Sequence, residues 1–288
     1  KQMKQSKSRL PGADGLRAVA CLLVVWHHTA QNLNPDGASP ISGVLKYFGM
    51  RGEVGVSIFF VLSGCLLSAP FWRAFVNKAP FPSLRTYALN RFARIAPAFW
   101  VILSLSTFLA VVVFHFAFTW QKLVFGFLFV NSYNYKTFFP AELNGPLWSI
   151  GLEVSCYALL PIVLWIIYKL AKTPKSAIVA LVSVIALLQI VNPLVIHATM
   201  TDSQGKGWQF GIDGGAKEWI PYWNIDSFFS QFLLGSLAAL VIVYLRKIGV
   251  SARPTFDFGA LLSMVVAVSI VEFRLNPGSP DPITQQPY

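Results

Sequence analysis

The feature that most limits what this chain can become is a recurrence of apolar runs, each about 20 residues long and almost free of charge. Inside a bilayer every backbone N–H and C=O must find its partner within the protein, so such runs fold as spanning helices. Seven runs qualify, at roughly 14–31, 54–72, 95–118, 147–170, 176–199, 225–246 and 255–272. Charged residues make up 12% of the chain and hydrophobic ones 55%, whereas a soluble domain carries about 25% charged residues. The expected fold is all-α, a polytopic transmembrane helical bundle of at least seven spans. The stretch WQKLVFGFLFVN at 120–131 is apolar but too short to cross, and is expected to be re-entrant or interfacial. The even spread of runs predicts one membrane domain over 1–275. A polar, proline-rich tail or loop follows at 276–288.

The net charge of +11 has a topological explanation. Lys1, Lys4, Lys7 and Arg9 precede the first run, and Arg73, Lys78, Arg85, Arg91 and Arg94 lie between the second and third. Lys169, Lys172 and Lys175, then Arg246, Lys247 and Arg253, mark two further clusters. Alternate loops are poorer in Lys and Arg, which predicts a cytoplasmic N-terminus in a plasma (inner) membrane. The pattern holds only if 120–131 does not cross. No basic face with interleaved aromatics accompanies the charge, so nucleic acid is not an expected partner, whereas membrane lipid is. Cys21, Cys65 and Cys156 fall inside apolar runs and read as buried thiols rather than a disulfide framework. No Cys/His spacing suggests a metal site. The basic N-terminus lacks a small-residue cleavage site, so the first run is expected to be retained.

Four polar features interrupt the apolar pattern. In DGLRAVACLLVVWHH, Arg17 and His28 are eleven residues apart. Eleven steps of about 100° come within roughly 20° of full turns, so both lie on one face of a helix, about 16 Å apart along it. Asp14 is one turn before Arg17, within pairing distance. His27 points elsewhere and reads as a passive interfacial histidine. In the second run Ser57, Ser63 and Gly64 are small residues that permit close helix packing; Ser63 is also a candidate nucleophile with no base evident beside it. In LRTYALNRFARIAPAFW, Arg91 and Arg94 project to one side, with Arg85 six residues upstream of Arg91. Guanidinium forks match phosphate oxygens, although topogenic charge explains the same residues. In NGPLWSIGLEVSCYALLP, Pro146 suits a helix start. Glu153 lies about two turns further in, where an ionised carboxylate is expensive unless paired. A meeting of Glu153 with His28 is expected.

In order and spacing, DGLRAVA with His28, GVSIFFVLSG at 55–64, RFARIAP at 91–97 and PLWSIGLEVSCY at 146–157 resemble the membrane acyltransferase-3 family of integral-membrane O-acyltransferases. The resemblance is motif-rich over 14–161 and rests on helix pattern beyond that. It implies about ten spans, more than are seen here, so the C-terminal spans of the pattern are expected to be missing. It implies acyl-coenzyme A, acetyl-coenzyme A in the first instance, as cytoplasmic donor. The implied acceptor is a hydroxyl of a glycan, a lipid or a small molecule, as in polysaccharide O-acetylation. Carried onto this sequence, the catalytic set would be His28 as base with Arg17, Asp14 and Glu153. Arg91, Arg94 and Arg85 would hold the donor phosphates. Trp148, Ser149 and Ser63 would face the acceptor.

Two other classes fit parts of the pattern. Intramembrane Asp, Arg, His and Glu also build proton-coupled transporters. A seven-span receptor matches the span count alone, and its usual orientation conflicts with a cytoplasmic N-terminus. The loop at 200–224, rich in Gly and Trp, reads equally as an acceptor lid or an ordinary surface loop.

Overall fold

A computed structural model describes residues 12–31, 40–199, 220 and 222–250. The expected span at 255–272, the tail at 276–288 and nearly all of the 200–224 loop lie outside these residues. The described chain contains eight α-helices: α1 (Ala13–Gln31), α2 (Pro40–Met50), α3 (Val54–Val76), α4 (Leu84–Phe108), α5 (Trp120–Phe127), α6 (Trp148–Leu170), α7 (Pro174–Thr199) and α8 (Ile225–Lys247). The described residues form no strand. Five segments are long and apolar enough to cross a membrane: Ile41–Val76, Leu84–Val113, Gly145–Leu170, Pro174–Ile196 and Ile225–Lys247. The chain is an integral-membrane helical bundle.

Helix α1 is not among the five. Asp14, Arg17, His27 and His28 lower the hydropathy of a helix only 19 residues long. The second expected span begins earlier than the apolar run suggests. PISGVLKYFGM is helical and joins α3 through a single 3-10 turn at Arg51–Glu53, making one continuous segment. The third also starts earlier. Ser83 caps α4 by accepting from the Thr86 amide, so Arg85, Arg91 and Arg94 stand on the helix itself. That helix ends in a π-turn at Leu109–Val113 and a left-handed His115, short of the expected residue 118. Helix α5 has eight residues and spans only about 12 Å, in keeping with a segment that does not cross.

Packing is tightest between α3 and α8, where two glycines let the backbones touch. A Cβ on Gly64 would stand 1.9 Å from the Phe232 carbonyl oxygen, and one on Gly235 would stand 1.8 Å from that of Val61. Small residues at a crossing permit this approach, and van der Waals contact then holds the helices without a hydrophobic drive. The Trp72 indole donates to Ser236 Oγ (2.9 Å) across the same interface. The buried core runs through Phe60, Phe71 and Trp72 of α3, Leu152, Leu160 and Leu164 of α6, and Phe232, Leu233 and Leu240 of α8. The opposite pattern holds on α7, where Val179, Leu187, Ile190 and Leu194 are outward-facing, as a lipid-facing surface requires.

Between α5 and the segment before α6, Lys122 and Glu142 form an ion pair with side chains 7% and 13% exposed. Removing one partner strands the other charge, at roughly 3–5 kcal/mol. Glu142→Leu is expected to lower thermal stability in detergent by about that amount, and Lys122→Met/Glu142→Leu to recover most of it. A single variant melting with wild type would show that water or lipid headgroups already solvate the pair.

Candidate active site

Helix α1 carries the residues of the first motif and is held by a row of glycines three apart. A Cβ on Gly49 would stand 2.4 Å from Ala30 Cβ. On Gly52 it would stand 2.2 Å from the Leu23 carbonyl oxygen, and on Gly55 2.6 Å from that of Ala20. Ala20 and Ala30 are fully buried on the facing side. These contacts make α1 antiparallel to α2 and α3, and place Ala20, Leu23, His27 and Ala30 on its docking face.

His28 lies on the adjacent face. With Cys21, Val24, Val25 and Thr29 of α1, Phe59 of α3 and Pro146 before α6, it lines a shallow, largely open cleft of about 640 Å³. Cys21 is exposed rather than buried, while Cys65 and Cys156 are buried thiols. Arg17 continues the stripe one turn before Cys21 and pairs with Asp14 at 3.5 Å, as the i, i+3 spacing predicts.

The ring orientation of His28 is set by a relay absent from the motif reading. The Met50 carbonyl can only accept, so His27 Nδ1–H donates to it (2.9 Å). With His27 neutral, its Nε2 accepts from the Gln31 amide nitrogen (3.1 Å). Gln31 Oε1 then faces His28 and accepts from Nδ1–H (2.9 Å). This sequence of donors leaves the lone pair of His28 on Nε2. His27 is thus the anchor of the relay as well as a packing residue against Gly52.

Glu153 sits elsewhere than expected. Its Oε1 accepts from Ser63 Oγ (2.9 Å) and from the Tyr157 hydroxyl (2.5 Å), not from His28. The antiparallel register explains this. Gly49 faces Ala30 and Gly55 faces Ala20, so Ser63 stands at the Asp14–Arg17 end of α1, roughly 20 Å along the axis from His28. The carboxylate beside Ser63 is the neighbour that the sequence did not reveal. Tyr87 of α4 donates to the Tyr157 carbonyl (3.1 Å), and Arg91, one turn beyond Tyr87, interacts electrostatically with both phenols. The cluster Ser63–Glu153–Tyr157 therefore joins α3 to α6, and Tyr87 ties α4 to its edge. Arg94 and Arg85 are exposed on α4.

Trp148 and Ser149 have structural surroundings. Trp148 is buried, stacked on Trp223 (4.4 Å between centroids, 12° between planes) and on Phe138 (5.3 Å, 20°). Ser149 Oγ donates to the Pro146 carbonyl (3.1 Å) in the first turn of α6. The segment after α5 locks onto the same turn. Ser132 Oγ donates to the Trp148 carbonyl (3.1 Å), and Gly151 leaves room for Asn131 and Ser132 beside the helix.

The molecule is thus a membrane helical bundle with a histidine on an open cleft and a half-buried Ser–Glu–Tyr cluster between its helices. Residues 10–275 match the acyltransferase domain model of acyltransferase family 3, and the chain belongs to that family. Acyltransferase MdmB of Streptomyces mycarofaciens is 29% identical over 265 residues, covering 88% of this chain and 62% of that protein. The peptidoglycan O-acetyltransferase OatA of Listeria monocytogenes is 28% identical over 215 residues, covering 69% of this chain and 31% of that protein. The chain thus spans less than two thirds of either relative. No solved structure matches it.

Proposed function

We propose that this protein transfers an acyl group, acetyl in the first instance, from acyl-coenzyme A on the cytoplasmic side to a hydroxyl of a glycan, lipid or small-molecule acceptor, with His28 as general base. The observation that carries the reading is the cleft around His28, whose Nε2 keeps its lone pair through the Gln31–His27–Met50 relay. A neutral imidazole with an ordinary pKa of about 6.5 is suited to take a hydroxyl proton near neutral pH. The acceptor O–H proton passes to Nε2 as its oxygen attacks the thioester carbonyl carbon. The C–O bond forms, the C–S bond breaks, and the imidazolium returns the proton to the leaving thiolate. Transfer is direct, without an acyl-enzyme; a trapped acyl-His28 or acyl-Ser63 would refute that step.

Arg17 shares the His28 face but stands about 16 Å further along the helix, paired with Asp14, so it acts at the donor end of the stripe rather than on the carbonyl oxygen. Glu153 orders Ser63 and Tyr157 rather than orienting the base. Arg94, Arg91 and Arg85 offer guanidiniums for the donor's phosphates. The Listeria relative, a peptidoglycan O-acetyltransferase, favours O-acetylation of a glycan; the Streptomyces acyltransferase leaves the acceptor open.

The test is thiol release from acetyl-coenzyme A by the protein in nanodiscs, alongside direct binding of coenzyme A. Arg94→Ala is expected to weaken that binding roughly 10- to 100-fold, the loss of one charge-assisted phosphate contact, with wild-type elution on size exclusion. Unchanged binding would remove Arg94 from the donor site. Proton-coupled solute uptake by vesicles, with no coenzyme A binding, would replace the whole reading with a transporter.

A further inference from the structure

The end of the bundle away from His28 carries a second polar feature, whose residues the transfer reaction does not use. Helices α3 and α8 end side by side there, with α6 ending and α7 beginning next to them. A cleft of about 310 Å³ between α3 and α8 is lined by Arg73, Asn77, Arg246 and Lys247 at its mouth, and by Leu66, Ala69, Ala239, Ile242 and Val243 along its depth. A second cleft of about 610 Å³ adjoins it through Val76 and Lys247 and adds Lys78, Lys172, Tyr168 and Tyr244. Five basic side chains line the two clefts and no carboxylate does. The described acidic residues Asp14, Glu53, Glu142, Glu153 and Asp226 all lie on other parts of the fold.

Helix C-termini attract cations, which accounts for basic residues at this end but not for their convergence on one concave surface. Lys247 donates to the Val76 carbonyl and so ties the end of α8 to α3. The cleft combines a cationic mouth with an apolar wall that follows the helices into the bundle. Two guanidiniums suit a phosphate, and the wall suits a hydrocarbon chain.

We infer that this end of the α3–α8 interface is a binding site for an anionic phospholipid, with the headgroup phosphate on Arg73, Arg246 and Lys247 and an acyl chain along Ala69, Ala239 and Val243. A free phosphate compound shares the headgroup chemistry but would leave the apolar wall unused. The site is independent of the proposed transfer reaction, because it contains none of that reaction's residues.

The test is native mass spectrometry of the detergent-purified protein with phosphatidylglycerol or phosphatidylcholine added. Wild type is expected to retain phosphatidylglycerol in preference to phosphatidylcholine. Arg73→Ala/Arg246→Ala is expected to bind phosphatidylglycerol roughly 30-fold more weakly, the loss of two basic residues near a headgroup, with phosphatidylcholine retention unchanged. Arg73→Lys/Arg246→Lys, which keeps the charge, is expected to restore most of the binding, and this separates charge from folding. No lipid preference in wild type, or equal phosphatidylglycerol retention in the alanine variant, would overturn the proposal. So would displacement of the lipid by millimolar inorganic pyrophosphate at constant ionic strength, which would reassign the site to a soluble phosphate.

Discussion

Replacing His28 by alanine is expected to reduce acyl transfer by roughly 10²- to 10⁴-fold, the usual contribution of a positioned general base, while coenzyme A binding stays at the wild-type level. The reason is local. His28 lines the cleft and meets His27 edge-on within α1 (5.1 Å between ring centroids), but Ala20, Leu23, His27 and Ala30, not His28, meet the glycine row of α2 and α3. Loss of the ring therefore removes a proton acceptor without separating α1 from α3. Gln31→Leu tests the relay. It removes the acceptor for His28 Nδ1–H and the donor to His27 Nε2 together, so the lone pair is no longer assigned to Nε2. Turnover is expected to fall between wild type and His28→Ala, with a changed pH profile and an unchanged donor affinity. Full turnover in His28→Ala would place the base elsewhere. A normal pH profile in Gln31→Leu, with His28→Ala inactive, would leave the base in place and discard the relay.

A single methyl group on either glycine of the α3–α8 crossing is expected to unfold the bundle or force it apart. In both cases the group that a new Cβ meets is backbone, at 1.9 Å for Gly64 and 1.8 Å for Gly235. No rotamer relieves such a contact, so the helices must separate by more than 1 Å, and every side chain packed between them loses contact. The expected loss is at least about 3 kcal/mol, the upper end for overpacking, seen as low yield, aggregation on size exclusion and a depressed melting temperature. Gly145→Ala is the control. Nothing lies within 4 Å of that position, and its melting temperature should match wild type. A Gly235→Ala protein that melts with wild type would mean that the crossing is looser than these contacts describe.

The membrane class, the shortness of α5 and the ends of α6, α7 and α8 are legible in the sequence because hydropathy and length act within one segment. Helix starts are less legible where a cap or turn outweighs hydropathy. Ser83 extends α4 over three arginines that hydropathy alone assigns to a loop, and the Arg51–Glu53 turn fuses α2 to α3. Gly64 is readable as a packing residue. Its partner Gly235 and the Gly49–Gly52–Gly55 row are not, because a glycine between apolar neighbours has no signature until a second helix lies on it.

The site divides in the same way. Helical periodicity alone puts Arg17 and His28 on one face and Asp14 beside Arg17, since those relations follow from 3.6 residues per turn within one helix. The partner of Glu153 is another matter. Its expected meeting with His28 fails because the register between α1 and α3 is fixed by glycine contacts, which seat Ser63 and Glu153 at the far end of α1. The bonds from Gln31 to both histidines, and the convergence of Arg73 with Arg246 and Lys247, likewise depend on which helix ends meet. The sequence determines what each helix carries and on which face. Only the tertiary structure decides which faces meet and at what height, because interhelical contact in a membrane is set by shape and hydrogen bonding between segments rather than by the hydropathy of any one of them.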